Sequence, residues 1–195
     1  MIKRVFDILI SLVFLFLALP VLILISLIPV SSIGKPIFFV QQRPGFKGEL
    51  FSIIKFRTMH PANPNTGSDL DDYSRIPKIG KFLRETSLDE LPELINVLKG
   101  EMSLVGPRPL LPEYLDLYSQ KQNMRHDVKP GITGWAQING RNNLSWEEKF
   151  ELDVWYVKNH SLCLDVEILF KTLLYVLRRK DILPENKKGM ERFKG

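Results

Sequence analysis

Asp89 and Glu90 are adjacent carboxylates in the run Arg84-Glu85-Thr86-Ser87-Leu88-Asp89-Glu90-Leu91-Pro92. Such a pair can bind a divalent cation, or one carboxylate can attack phosphorus while its neighbour holds metal. Arg84 and Arg108 bracket the pair, and each guanidinium is a planar fork suited to phosphate oxygens. Leu91, Leu94, Ile95 and Leu98 follow at helical spacing, then Lys99 and Gly100 form a last turn and a stop. Pro92 belongs in a first turn, where its missing N–H costs nothing. The expectation is a helix beginning close to Asp89, whose free N–H groups and partial positive charge suit phosphate. A plainer reading fits the same residues. Ser87 and Glu90 match the Ser-x-x-Glu capping box, and taken alone the motif favours capping, because caps are common and catalytic dyads rare.

Other candidates are weaker singly. Lys55 and Arg57 sit two apart on an expected strand, hence on one face, which is either a solvated edge or a phosphate or lipid-headgroup face. Lys129-Pro130-Gly131-Ile132-Thr133-Gly134 and Asn139-Gly140-Arg141 would suit close backbone approach to a nucleotide, although ordinary turns look the same. Asp165 is a lone acid in an apolar run, more often a satisfied polar group than a ligand. Asp69, Asp71 and Asp72 lack the Gly and terminal Glu of a calcium loop. With one cysteine, Cys163, and three histidines, a zinc cluster and an internal disulfide are excluded, and a reducing compartment is comfortable. The net charge of +5 over 195 residues suits anionic partners, but no nucleic-acid recognition motif is present.

The strongest physical signal lies upstream. Residues 8–30 carry no charge and are dominated by Leu, Ile, Val and Phe. A straight helix of that length reaches about 35 Å, enough to span a bilayer. The run is too long for a cleaved signal peptide and lacks a small-residue cleavage site. Lys3 and Arg4 precede it, and Lys35, Arg43 and Lys47 follow, so both flanks are positive and both belong on the cytoplasmic side. Pro20 divides the run into halves of roughly 16 to 22 Å, deep enough for one leaflet. A re-entrant helical hairpin broken at Pro20 satisfies both flanks.

Downstream, 36–41 and 50–56 read as two strands joined through Pro44-Gly45 and Lys47-Gly48. Residues 61–77 form a long loop, and 78–85 a helix leading to the dyad. Gly106-Pro107-Arg108-Pro109 is rigid and aims one arginine. Residues 112–122 read as a helix. A helix over 145–159 opens on a Ser145–Glu148 capping box and carries the stripe Trp146, Phe150, Val154 and Trp155, which is core or a membrane-interface face. Residues 162–179 form a second apolar helix, and 184–195 a polar, loose tail.

Several of these stretches together resemble a known family. They are Lys3-Arg4 with Asp7, Lys55-Phe56-Arg57-Thr58-Met59, Ser87-Leu88-Asp89-Glu90-Leu91-Pro92, and Asn96-Val97-Leu98-Lys99-Gly100-Glu101-Met102-Ser103. Gly106-Pro107-Arg108-Pro109 and the segment from Pro130-Gly131-Ile132-Thr133-Gly134 through Asn139-Gly140-Arg141 complete the set. The chain is similar over nearly its whole length to the small monotopic phosphoglycosyl transferases, or bacterial sugar transferases, and most of all to the diacetylbacillosamine-phosphate transferase type. Six motifs in order outweigh the capping reading of the dyad.

The resemblance implies a two-step reaction. Asp89 attacks the sugar-bearing phosphate of a UDP-sugar and releases UMP, and a polyprenyl phosphate then takes the phosphosugar. It implies that Asp89 and Glu90 hold Mg²⁺, that Arg84, Arg108 and Arg141 contact phosphate or nucleotide, and that Asp165 is a functional acid. It also implies a re-entrant helix, although the family commonly has a small polar residue before the Pro and this chain has Leu19. The expected fold is α+β and mainly helical. A re-entrant membrane segment (1–32) precedes a small cytosolic catalytic domain (33–183) with amphipathic interfacial helices and a short β-hairpin, then a tail (184–195). The expected location is the inner face of the bacterial cytoplasmic membrane. A membrane-bound UDP-sugar hydrolase and a non-catalytic membrane-docking module are the competing readings.

Overall fold

The computed structural model describes residues 1–61, 75–140, 143–178 and 192–195, with the side chains of 27–32 left out. The aspartates of 69–72, Arg141 and most of the tail lie outside these residues.

The first element, α1 (Ile2–Ser32), is helical throughout. Pro20 does not interrupt it: a proline removes one backbone hydrogen bond, which a helix of 31 residues survives. The stretch Ile2–Ser26 is long and apolar enough to cross a membrane. Its two sides differ. Leu9, Leu12, Val13, Phe16 and Leu17 are more than half exposed. Phe6, Ile10 and Leu15 pack on the main core of the following domain, and Leu22 and Ile25 pack with Phe56 and Leu83. Both halves of α1 therefore lie against the same domain.

An antiparallel hairpin follows, β1 (Phe38–Pro44) and β2 (Leu50–Phe56), in register from Phe38 opposite Phe56 to Pro44 opposite Leu50. The first strand begins two residues later and ends three later than its apolar run indicates, because pairing with β2 carries it through Arg43. Helix α2 (Lys78–Glu85) lies where expected. Leu88–Glu90 is a single 3-10 turn, and α3 (Glu93–Lys99) starts only at Glu93, with Pro92 as its cap. The helix thus begins four residues after Asp89, which corrects the expected start. Ser87 sits at φ 54° and makes no side-chain cap bond, so the expected capping box is absent. The predicted stop is correct: Gly100 ends α3 at φ 88°, a conformation glycine adopts without a Cβ clash.

Two three-residue strands, β3 (Ser103–Val105) and β4 (Gly131–Thr133), pair in parallel. A side chain on Gly131 would run into the backbone of Gly106, and one on Gly134 into the Gly106 carbonyl. These glycines serve backbone-to-backbone contact within the fold, a use the sequence reading assigned to a nucleotide. Residues 112–122 also split, into a 3-10 turn (Pro112–Leu117) and the short α4 (Gln120–Asn123). After α5 (Trp135–Ile138), α6 (Trp146–Asn159) opens on the predicted Ser145–Glu148 box, and α7 (Leu162–Arg178) follows. Phe150 and Val154 of the α6 stripe are core, whereas Trp155 stays half exposed and stacks on Trp135 at 4.6 Å. On α7, Val166, Phe170, Leu173 and Leu177 form an exposed apolar row at helical spacing.

The core joins Phe51 and Ile53 of β2, Leu94 and Val97 of α3, Leu104 and Val105 of β3, Tyr156 of α6 and Ile168 of α7. Asn96 locks α3 to the hairpin. Its Oδ1 accepts from Ile54 N at 3.1 Å, and its Nδ2 donates to Ser52 O at 2.8 Å and Glu101 Oε2 at 2.7 Å. Among the described residues of the tail, Phe193 is buried against Tyr114 and Phe150, where a wholly loose tail would leave it in water.

Candidate active site

Four elements converge on the dyad. Lys55 comes from β2, Asp89 and Glu90 from the 3-10 turn, Glu93 from the first residue of α3, and Arg108 from the rigid loop after β3. Lys55 Nζ lies 2.7 Å from Glu90 Oε1 and 2.8 Å from Glu93 Oε1. Arg108 Nη2 donates to the same Glu90 oxygen at 2.5 Å. Glu90 Oε1 therefore takes two cations and Oε2 takes neither. Arg84 donates its Nε to Thr58 Oγ1 at 2.8 Å, which fixes it at the end of β2 on the Asp89 side.

The two carboxylates are held in opposite electrostatic states. Burial pushes the Asp89 carboxyl up to about 6, and the neighbouring Glu90 charge adds to the rise against Lys55, Arg84 and Arg108. Burial would raise Glu90 as well, but Arg108 and Lys55 outweigh it and hold Glu90 well below the usual carboxylate range. Glu90 in turn drives Arg108 further toward its charged form. The dyad is thus one permanently ionised, cation-clamped acid beside one acid poised near neutrality.

Glu93 was not singled out from the sequence. It is 1% exposed, and burial raises its carboxyl to about 7 against the pull of Lys55. Arg125 was also missed. It is buried, pairs with Asp153 at 2.7 Å and donates to the Arg108 carbonyl at 2.7 Å, so it holds the loop that carries Arg108. An arginine of a short 3-10 turn has no sequence pattern that marks it.

Asp165 is placed elsewhere. It is fully buried, accepts from Lys3 Nζ at 2.6 Å and from Tyr156 Oη at 2.6 Å, and lies by Asp7, which accepts from Ser103 Oγ at 2.9 Å. Arg4 donates to the carbonyls of Val97 and Leu98 at the end of α3. Arg4 therefore ties the start of α1 to the end of α3, Asp7 ties it to β3, and Lys3 ties it to β3 and to Asp165 of α7. Pro20 is not part of the site, and Arg141 lies outside the described residues.

The bacterial sugar transferase family matches residues 1–179. The chain is 54% identical over 194 residues to the uncharacterized sugar transferase EpsL of Bacillus subtilis, covering 99% of this chain and 96% of that protein. It is 41% identical to the undecaprenyl-phosphate galactose phosphotransferase of Salmonella typhimurium, covering 91% of this chain and 40% of that longer protein. Identity is also 41% to the undecaprenyl-phosphate glucose phosphotransferase of Komagataeibacter xylinus, with 88% of this chain and 35% of that protein aligned. Two of these names carry hexoses, and none carries diacetylbacillosamine. With the family matched across the dyad, the hairpin and both long helices, the chain belongs to the bacterial sugar transferases.

Proposed function

We propose that the protein moves a sugar 1-phosphate from a UDP-sugar to a polyprenyl phosphate and releases UMP, through a covalent phosphosugar on Asp89. In the first step an Asp89 oxygen forms a bond to the sugar-bearing phosphorus, the bond from that phosphorus to the bridging oxygen breaks, and UMP leaves. In the second, an oxygen of the lipid phosphate forms a bond to the same phosphorus and the Asp89 carboxylate departs. The observation that carries this reading is the asymmetry of the dyad: Glu90 is pinned by two cations, and Asp89 is buried beside it with its charge only weakly favoured. A weakly solvated carboxylate is the better nucleophile of the two.

A divalent cation fits these residues. No group of three or more His, Cys, Asp or Glu able to hold a metal occurs among the described residues. Mg²⁺ does not need one, because it is usually bound through one or two carboxylates and substrate phosphates. Asp89 and Glu90 would hold it, and it would neutralise charge on the diphosphate. The chain's own cations act beside it. Arg108, Arg84 and Lys55 lower the barrier to bringing a dianionic diphosphate against a carboxylate, and Arg141 is assigned the same role from its family position.

The site acts at the cytoplasmic membrane surface on the cytosolic side. A re-entrant path for α1, entering and leaving one leaflet, is supported by the contacts of both its halves with one domain. Asp165 then serves the reaction through Lys3, by fixing α1 to the domain. The test of the chemistry is exchange of labelled UMP into UDP-sugar with no lipid present. The two-step reading expects exchange, and a direct transfer or a hydrolase without a covalent phosphosugar gives none.

A further inference from the structure

A cleft of about 710 Å³ opens beside the end of α1, bounded by Lys35, Ile37, Phe38, Phe39, Val40 and Arg57. We propose that this cleft seats the lipid acceptor, with the first isoprene units against Ile37, Phe38, Phe39 and Val40 and the phosphate led inward by Lys35 and Arg57. The inference rests on the phosphosugar-transfer reading and names where its second substrate enters.

Three observations place it there. The first is composition. Phe38, Phe39 and Val40 are consecutive and 40–56% exposed, so both faces of a strand end present apolar surface, as single exposed residues would not. Lys35 and Arg57 stand at the same cleft, and Arg57 Nε is fixed on the Pro36 carbonyl at 2.9 Å. An apolar wall with cations suits an amphiphile with one anionic end.

The second is continuity with the membrane segment. Ile37 and Leu22 of α1 both pack against the cluster of Ile25, Phe56 and Leu83. A polyprenyl chain stays in the bilayer because each buried CH₂ favours it. A path that begins beside α1 leads such a phosphate from the bilayer toward the dyad.

The third is continuity with the dyad. Leu88, which precedes Asp89, packs on that same cluster. Phe39 is the cross-strand partner of Lys55, so their side chains share one face of the hairpin. Lys55 holds Glu90 at 2.7 Å. Through Phe39, therefore, the cleft wall reaches the hairpin face that carries the cation on the dyad.

The test uses the full-length protein in neutral detergent with polyprenyl phosphate as acceptor. Val40→Ser alone and Phe39→Ser with Val40→Ser are compared with wild type, each checked for an unchanged melting temperature. The double variant is expected to raise the KM for polyprenyl phosphate about tenfold, or about 1.4 kcal/mol, with Val40→Ser between it and wild type and the KM for UDP-sugar unmoved. Binding to phosphatidylcholine vesicles, with and without phosphatidylglycerol, is expected to match wild type. An unchanged acceptor KM overturns the proposal. So does vesicle binding that falls in step with turnover, which assigns the cleft to bulk anionic lipid. Absent UMP exchange in wild type would instead remove the transfer reading itself, whatever the variants do.

Discussion

At the scale of single residues, the arrangement asks one acid to be uncomfortable. The Asp89 carboxyl is raised from 3.8 to about 6 by burial and by Glu90. Its native form binds a proton more tightly than its unfolded form. The associated stability is complete below about pH 4 and is lost as pH rises through 6, by about 2 to 3 kcal/mol. Asp89→Asn should therefore unfold at higher urea than wild type at pH 8 and match it at pH 4, while losing turnover by about three orders of magnitude or more. Equal denaturation midpoints at pH 8 would show that the site is not strained as described. If Asp89 is the nucleophile as proposed, the same ionisation sets the acidic limb of the rate, because only its carboxylate form attacks. Single-turnover formation of the phosphosugar should fall below about pH 6, and a limb near pH 4 would contradict the raised value. Lys55 clamps Glu90, and on the proposed mechanism it also meets incoming phosphate, so Lys55→Met should cost about a hundredfold in kcat/KM. A loss below threefold would leave Lys55 as an ordinary surface cation.

At the scale of elements, the dyad's position depends on three joints. Asn96 binds α3 to β2 with two side-chain hydrogen bonds in a buried setting, and a third holds Glu101. Asn96→Ala leaves the Ile54 amide and the Ser52 carbonyl unpaired, for about 3 kcal/mol of lost stability by urea unfolding. Gly131 lets β4 lie against the Gly106 segment, and Gly131→Ala should cost about 2 kcal/mol or more because the obstacle is backbone. The third joint is Lys3 and Arg4 on Asp165 and α3. Much of this was legible in the sequence. The hairpin, α2, the Gly100 stop and the α6 capping box follow from local patterns of two or three residues. The start of α3 did not, because Pro92 is equally at home as a cap and in a first turn, and only packing decides. Strands β3 and β4 are three residues each, too short to show alternation, and exist through their parallel pairing. Asp89, Glu90, Arg84, Arg108 and Lys55 were found together because a motif set named them. Glu93 and Arg125 carry no such mark, and their roles appear only when burial and distance are known.

At the scale of the whole molecule, a long apolar helix is folded onto the catalytic domain along both its halves. Its exposed side, with Phe16, Leu17 and Val13, and the apolar row of α7 give the molecule surface that water does not favour. If α1 is re-entrant as proposed, both flanks are cytosolic and a cysteine placed at Met1 should be labelled only from the cytosolic side of sealed vesicles. Labelling from the opposite side alone would establish a single span. Lipid acceptor and soluble donor can then use one site in turn, at the boundary where their phases meet. The most direct test of that claim is to trap the intermediate. Wild-type protein is incubated with labelled UDP-sugar and divalent cation without lipid, quenched and digested, and the labelled peptide is sequenced by mass. The account predicts one phosphosugar per chain on Asp89, discharged by added polyprenyl phosphate. Lipid-dependent turnover with no label on Asp89, or persisting at full rate in Asp89→Asn, would contradict it.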